Sequence, residues 1–497
     1  MKNSSFALKP FILLFTLILT VSFCFDTTQE TLKNPAYLFA FIAGTVLILT
    51  FWKDIKKDEM TVIYIIMISG ILLKTAYVLY TAVYTRQHDV IDFGAPEGHA
   101  AYIEYIYYNN ALPTGDPREK WAFFQPPLHH VIAAVWMKLC NKFTHVYRQL
   151  QENVQALTLF YTSAVEILSL FICRELKLKK KGMLAAMLLI SFHPVYIIMS
   201  GSINNDALSL VFSIAALYIA ILWYKNPCLP YIILLALAIG LSMLAKLSGG
   251  TVAPAVAFIF LLRFIRDEKD RIKYLIWFVI FGIIVFPLGI GWEIRNMISF
   301  GMPFNYIPPV GEILPQTGFV SRILDIRINS IYPSMIAYGD KYDEYNVIVQ
   351  MIKSSLFGEY DLGLDAPFVT PFAVVLFISA ILLVLCGVYV KASLIKGIIR
   401  GRSFNIRRES MSDLWVMLFI YYIVMLISYF SFALSSDNFS AMDFRYISAV
   451  IVTDGLFFGI YTDGRPEEEG RVKVVFLLLY IFCLSSFLVY ILLGFGR

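Results

Sequence analysis

The sequence predicts an all-α, polytopic membrane protein, and three observations support this fold class. Hydrophobic residues make up 59% of the 497 residues and charged residues only 15%, whereas soluble proteins carry about 25% charged residues. Apolar stretches that can cross about 30 Å of hydrocarbon recur along the chain. Lys and Arg gather in the segments between these stretches, which is typical of membrane topology. Because a helix satisfies its own backbone polar groups in lipid, we expect helices rather than strands.

About thirteen stretches have the length and composition of transmembrane helices. They cover residues 10–26, 36–52, 60–84, 156–175, 183–201, 206–224, 231–247, 250–265, 274–295, 367–391, 412–434, 444–462 and 472–494. We treat residues 1–497 as a single membrane-embedded domain. Lys2 and Lys9 before an apolar run resemble a signal peptide, but no small-x-small cleavage site follows, so we expect an uncleaved first helix.

The shorter apolar run 128–140 determines the topology of everything after it. If this run crossed the membrane, the basic cluster 174–181 would face the side opposite to Lys53, Lys56 and Lys57, against the positive-inside rule. If it lies in the interface, all basic clusters share one side, namely 53–57, 174–181, 263–273, 391–408 and 465–473. We therefore predict an interfacial helix at 128–140, a cytoplasmic N-terminus and a plasma-membrane location.

This topology places two long loops outside, at about residues 85–155 and 296–366. Both are rich in Pro, Gly, Tyr and acidic residues, and long loops in compact proteins are usually functional or disordered. The inner loops are short, basic and lack an ATP-binding signature. Any chemistry is therefore expected on the outer face. The clusters of Lys and Arg are explained by membrane topology, so no nucleic-acid partner is expected. The six cysteines are scattered singly and predict no disulfide framework.

The first outer loop contains His88, Asp89, Glu97, His99 and His129. A carboxylate beside low-dielectric surface can act as a general base near neutral pH. The alternative is a solvated loop whose acids only cap helices. His88, Asp89, Glu97 and His99 are also a mixed set of candidate ligands for a divalent metal ion, although their spacing matches no defined metal signature. The simpler interpretation is that these histidines are loop residues with satisfied hydrogen bonds and do not bind a metal ion.

Several short motifs occur in a fixed order between about residues 60 and 460. An outer-face acid precedes the interfacial helix that Gln125-Pro126-Pro127-Leu128 introduces. The later members are Asn204-Asn205-Asp206, Lys246-Leu247-Ser248-Gly249, Trp292-Glu293-Ile294-Arg295-Asn296 with Gly301-Met302-Pro303, and Asp443-Phe444-Arg445-Tyr446. The ordered set resembles the membrane-embedded glycosyltransferases of the C superfamily, and more narrowly the bacterial relatives of protein O-mannosyltransferases and of the lipid A aminoarabinose transferase.

The resemblance implies an inverting sugar transfer from a polyprenyl-phosphate-linked donor to a glycan, lipid or protein acceptor. An acid of the first outer loop then lies beside the acceptor, and Asp89 matches this position best. Relatives often carry an adjacent Asp-Glu pair, whereas this chain has His88-Asp89, so Glu97 is a competing assignment. His88, His99 and His129 are expected to bind the substrate.

A departing lipid phosphate needs positive charge. Arg295 and Arg445 can each offer a bidentate fork to a phosphate, whereas Lys246 offers a point charge. Tyr446 and Asp206 accompany them as candidate substrate contacts. The competing interpretations are snorkelling of the basic side chains from helix ends and capping of a helix by Asp206.

Two other functions remain open at this level. A transporter or flippase of lipid-linked sugars would commonly show internal repeats and mid-membrane charges, and the sequence shows no repeat and few such charges. A non-catalytic relative would keep the scaffold without the chemistry, and the missing Asp-Glu pair keeps this alternative open. The sugar, the acceptor and the oligomeric state are not specified by the sequence.

Overall fold

The computed structural model describes residues 10–12, 14–15, 59–83, 93–308, 318–326, 345–358, 366–400, 411–436, 439–466 and 468–495. His88 and Asp89 lie outside the described residues, and so does nearly all of the predicted stretches 10–26 and 36–52. Throughout the described part, the regular structure is helical, without strands. The predicted all-α class is therefore confirmed.

The α-helices of the described residues are numbered in chain order. Those in the N-terminal half are α1 (Glu59–Tyr80), α2 (Gly98–Asn109), α3 (Leu128–Cys140), α4 (Tyr147–Glu152), α5 (Val154–Glu175), α6 (Lys180–Phe192), α7 (Pro194–Ser200), α8 (Asp206–Lys225) and α9 (Leu229–Ala245). The remainder are α10 (Ala253–Arg266), α11 (Arg271–Phe300), α12 (Phe319–Leu324), α13 (Val347–Phe357), α14 (Thr370–Arg400), α15 (Met411–Ser435), α16 (Ala449–Asp463) and α17 (Gly470–Phe495). Short 3₁₀ helices cover Pro117–Glu119, Leu247–Val252, Glu268–Asp270, Phe439–Met442 and Phe444–Ile447.

Eight helices within the described ranges are long and apolar enough to cross a membrane, or up to ten if each bent pair forms one span. The chain is thus a polytopic membrane protein, while the count of about thirteen stays a prediction. The predicted stretch 183–201 bends by 47° between α6 and α7. Pro194 explains this bend, because its ring removes a backbone donor and holds the preceding His193 in an extended conformation.

Burial separates the central helix from the peripheral ones. In the span that α4 and α5 form together, 94% of the apolar window is buried, whereas the span that contains α11 has only 11% buried. Ile272, Val279 and Ile283 of α11 are exposed apolar side chains. Since the chain is a membrane protein, these side chains suit contact with lipid.

The first outer loop leaves the helical bundle and returns to it at the same end. The backbone N–H of Val83, just after α1, donates to Oε2 of Glu152, just before α5, at 3.2 Å. Within this loop α3 has the predicted bounds 128–140. His129 at its start contacts Ile203, and Tyr147 shortly after its end donates to Glu104 of α2 at 2.5 Å. Helix α3 therefore stays on one side of the bundle instead of crossing it.

The opposite end of the bundle carries the basic clusters 174–181 and 465–473. Lys225 at the end of α8 pairs with Glu175 at the end of α5 at 2.7 Å. The Lys179 backbone N–H donates to Asp463 at 3.1 Å, and the Lys181 ammonium donates to the carbonyl of Arg465 at 2.5 Å. Since α8 begins with Asp206 at its other end, the clusters 174–181 and 465–473 lie a full helix length away from Asp206.

Candidate functional site

Asp206 is the centre of a buried network of charged groups. Its Oδ1 pairs with the Lys246 ammonium, and its Oδ2 lies 3.5 Å from Nε of Arg445. Asp443 approaches the same Arg445 Nε at 3.8 Å. The ring of Tyr446 covers both cations, with its centroid 4.5 Å from the Lys246 ammonium and 5.0 Å from the Arg445 guanidinium carbon. Five residues from three of the sequence motifs therefore meet at one place.

Local chain breaks position these side chains. Asp206 is the first residue of α8, where a negative charge interacts favourably with the helix dipole. Lys246 has an extended conformation between α9 and the 3₁₀ helix that follows. Asp443 accepts a hydrogen bond from the backbone N–H of Arg445 at 2.7 Å and thereby begins the 3₁₀ helix Phe444–Ile447. Each charged side chain thus lies at or beside a helix end.

The break at Lys246 depends on close packing behind it. The hydroxyl of Ser242 on α9 lies 3.1 Å from that of Ser209 and 2.9 Å from that of Ser213 on α8. A Cβ on Gly249 would come within 2.2 Å of the Ser242 hydroxyl and 2.7 Å of its backbone carbon. Only glycine fits there without displacing the turn. The Lys-Leu-Ser-Gly motif is thus a compact turn that holds Lys246 against Asp206.

A cavity of about 580 Å³ opens beside this network. Such a volume is in the range of small-molecule sites, about 300–1,000 Å³. Both long outer loops contribute to its lining, as do the Lys246 turn, α11, α15 and the 3₁₀ helices around Arg445. The lining includes His99, Trp121, Gln125, Lys246, Glu293, Tyr306, Tyr429 and Tyr446. Asp206 and Arg445 lie directly behind Lys246 and Tyr446, with side chains only 6% and 2% exposed.

Buried histidine and aromatic rings pack behind His99, which lines the cavity. His99 and His130 stack with parallel rings, and their Nδ1 and Nε2 atoms are 2.9 Å apart. Tyr102 stacks on His130 at 4.1 Å between centroids. His129 faces elsewhere and donates from Nε2 to the carbonyl of Ile203 at 2.8 Å. Burial lowers the pKa of His129 to about 4 and that of His130 well below its ordinary value, so both rings are neutral at pH 7.

Like His129, Asp206 and Arg445, the predicted site residues Glu97 and Arg295 are not part of the cavity lining. The Glu97 carboxylate accepts the backbone N–H of Trp121 at 3.1 Å. Arg295 donates to the carbonyl of Pro113 at 2.9 Å and lies over the ring of Trp292. These contacts fix the shape of the first outer loop and attach it to α11.

The described residues contain no group of three or more His, Cys, Asp or Glu side chains that could hold a metal ion. Two of the candidate ligands, His88 and Asp89, lie outside those residues. A divalent metal ion at the first outer loop therefore stays a prediction.

Glu293 and Gln125 line the cavity but were not assigned a role from the sequence. Glu293 is 5% exposed and lines the cavity from α11. Gln125 lines it from the loop before α3, and its Oε1 accepts from Asn205 at 3.3 Å. Both residues belong to motifs of the ordered set. An acid inside an otherwise apolar stretch was the available signal for Glu293.

Residues 125–292, about a third of the chain, match the family model described as dolichyl-phosphate-mannose-protein mannosyltransferase. Comparison of the sequence with curated proteins gave no match.

Solved structures of two membrane proteins resemble the chain. The apo oligosaccharyltransferase of Archaeoglobus fulgidus is 14% identical, with a TM-score of 0.50 over 86% of this chain and 55% of that one. Apo ArnT from Cupriavidus metallidurans is 11% identical, with a TM-score of 0.49 over 88% of this chain and 77% of that one.

At these identities the likeness concerns the fold alone, and the chain spans about half the length of the oligosaccharyltransferase. The matched region 125–292 contains Asp206 and Lys246 and ends beside Glu293. The family match over residues 125–292 and the shared fold therefore agree with the resemblance to the C superfamily of membrane glycosyltransferases.

Proposed function

We propose that the chain transfers a sugar from a polyprenyl-phosphate donor to an acceptor on the extracytoplasmic face of the plasma membrane. The observation that carries this proposal is the convergence of Lys246, Arg445 and Tyr446 on Asp206 beside a cavity about 580 Å³ in volume. The family match adds support, because its description names a lipid-phosphate sugar as donor.

The phosphate of the donor would bind at Lys246. The Lys246 side chain is 16% exposed and lines the cavity, whereas Arg445 is only 2% exposed. Lys246 therefore reaches the phosphate directly, and Arg445 shares the Asp206 carboxylate behind it. Arg295 is held by the first outer loop, so we assign it to loop attachment instead of phosphate binding.

The reaction needs a base as well as a cation. The acceptor hydroxyl oxygen bonds to the anomeric carbon while the bond from this carbon to the phosphate oxygen breaks. The electron pair of that bond leaves with the lipid phosphate, where positive charge stabilises it. Asp89 would take the hydroxyl proton, with Glu97 as the competing assignment. Because attack and departure occur on opposite faces of the sugar, the anomeric configuration inverts.

Reconstitution tests this proposal against transport. Liposomes with the purified chain would receive undecaprenyl phosphate carrying mannose, glucose or galactose, with a cell-envelope extract as acceptor. We expect release of undecaprenyl phosphate, and we expect Asp89→Asn to abolish it without a change in thermal stability. Glu119→Gln, an exposed acid of the same loop, is the matched control.

Full activity in Asp89→Asn would refute its role as the base. Movement of the intact donors between leaflets without release of lipid phosphate would instead identify a flippase. If the purified chain neither released lipid phosphate nor moved any donor, the proposed function would be wrong.

A further inference from the structure

Glu293 is a buried acid of the cavity whose carboxylate is only partly satisfied. The side chain is 5% exposed and lines the cavity. The backbone N–H of Asn305 lies near its carboxylate and interacts favourably with the charged form. Within the described ranges, Oε2 of Glu293 has no hydrogen-bond partner. One carboxylate oxygen of a residue that lines the cavity is thus left without a hydrogen bond.

Contacts on both sides of Glu293 hold it in place. The neighbouring Trp292 donates from Nε1 to the carbonyl of Phe124 at 3.2 Å, which fixes α11 against the first outer loop. Helix α11 ends at Gly301 in the left-handed conformation, with φ of 61°. This turn leads the chain back so that Asn305 reaches Glu293. The carboxylate is therefore positioned before any ligand arrives.

The charge around Glu293 differs from that around the other buried acids of the site. Asp206 has Lys246 and Arg445 as partners, and Asp443 has Arg445. Arg295, two residues beyond Glu293, donates to Pro113 and Asn296 instead. The cavity thus has a phosphate-binding cation on Lys246 and an acceptor oxygen on Glu293.

A lipid-linked sugar has three parts, the phosphate, the lipid tail and the sugar, and they differ in how they would interact with Glu293. A phosphate has negative charge and would be repelled by Glu293, and a lipid tail has no hydrogen-bond donor. Sugar hydroxyls are donors, and a buried acceptor without a partner costs about 1–3 kcal/mol, which such a donor would recover. Resting on the proposed function, we propose that Glu293 binds hydroxyl groups of the donor sugar and determines specificity for it.

The test compares binding of lipids with and without a sugar. Undecaprenyl phosphate and its mannosyl, glucosyl and galactosyl derivatives would be titrated into the full-length chain in nanodiscs. For the wild type we expect tighter binding of at least one glycosylated lipid than of undecaprenyl phosphate. In Glu293→Leu we expect this preference to fall by about 10- to 100-fold, the effect of a hydrogen bond to a charged group.

Two further variants make the result specific. Glu293→Gln keeps one acceptor oxygen, so it should lose only about threefold to tenfold of the preference. Glu119→Gln should keep all of it. Unchanged binding of undecaprenyl phosphate to each variant shows that the site is still folded.

The inference and the proposed function fail in different ways. A wild type that prefers no glycosylated lipid, or a Glu293→Leu variant that keeps the preference, would overturn the role of Glu293 alone. A wild type that binds none of the four lipids would overturn the proposed function itself.

Discussion

Lys246 and Arg445 share the Asp206 carboxylate but differ in their access to the cavity. The Lys246 side chain is 16% exposed, whereas Arg445 is almost fully buried between Asp206 and Asp443. Removing one partner of a buried ion pair typically costs about 3–5 kcal/mol, because the remaining charge stays buried. Loss of the lysine should therefore act mainly on ligand binding, and loss of the arginine on folding.

We predict that Lys246→Gln weakens binding of undecaprenyl phosphate about tenfold or more, with a modest change in melting temperature. Arg445→Gln should instead lower the melting temperature strongly. Titration and thermal unfolding in the same detergent would measure both effects. Lys142→Gln, an exposed lysine of the first outer loop, is the control. If Lys246→Gln and Arg445→Gln lost the same affinity and had the same melting temperature, the separate roles of the lysine in binding and the arginine in folding would be contradicted.

His129 should make stability depend on pH. Its pKa in the folded chain is lowered to about 4 by burial, below the ordinary value of 6.5. The unfolded chain therefore binds more protons between these pH values, so stability rises with pH. The contribution of His129 to stability is complete above about pH 6.5 and is lost as the pH falls toward 4. The difference between the two pKa values corresponds to about 3 kcal/mol in the free energy of unfolding.

We predict that His129→Gln reduces the slope of melting temperature against pH in this range. His145→Gln, which replaces an exposed histidine of the same loop, should leave the slope unchanged. A slope that is identical in the wild type and in His129→Gln would contradict the proposed titration.

At the residue scale, sequence motifs led to the charged network but not to its full set of partners. Asp206, Lys246, Arg445 and Tyr446 were predicted as members of the ordered motifs that carry the family resemblance, and the structure places them together. Glu293 received no role, because hydropathy does not tell which face of a helix borders a cavity. The Glu97 contact with Trp121 was equally hidden, since it depends on how the loop folds back.

The turn between α9 and α10 is the element on which the position of Lys246 depends. A Cβ on Gly249 would meet the Ser242 hydroxyl at 2.2 Å and its backbone carbon at 2.7 Å, so a side-chain rotation cannot make room. A Cβ on Gly250 would meet the flexible end of Met243 at 3.3 Å. Gly249 is therefore tightly packed and Gly250 is not, so Gly250 can serve as the control for a substitution at Gly249.

We predict that Gly249→Ala lowers stability by about 1–3 kcal/mol, the usual cost of overpacking. Because the turn must move, binding of undecaprenyl phosphate should fall with it. Gly250→Ala should stay close to the wild type in both measurements. Similar melting temperatures and affinities for the two variants would show that the turn has room that the geometry does not indicate.

Helix positions were predictable from hydropathy, whereas the breaks within them were only partly so. Apolar length predicted α1, α8 and α17 within a few residues, because lipid demands an uninterrupted apolar surface. Pro194 was a visible signal for the bend between α6 and α7. The 3₁₀ helix at Leu247–Val252 had no comparable signal, because it depends on packing against α8 and α9.

The whole molecule separates a cavity end from a basic end. Ion pairs and hydrogen bonds bring the clusters 174–181 and 465–473 together with the ends of α5 and α8. Val83 and Glu152 close the first outer loop at the other end. The rule that basic residues stay inside predicted this separation, because charge reports on sidedness even where the loops themselves cannot be folded from sequence.

We predict that Glu119 and Lys177, both exposed, face opposite sides of the membrane. In a background with the native cysteines replaced, Glu119→Cys should react with a membrane-impermeant maleimide in intact cells. Lys177→Cys should react only after permeabilisation. Labelling of Lys177→Cys in intact cells would place the basic clusters outside and would contradict the topology.

The contact of Asp206 with Lys246 and with Arg445 has a consequence for biosynthesis. The ribosome makes Asp206 and Lys246 early, but Arg445 and Tyr446 follow only after some two hundred further residues. Until then, the aspartate has just one of its two cations, and no aromatic ring covers the lysine. The nascent chain should therefore be unable to hold a lipid phosphate firmly before its last two membrane helices begin to insert.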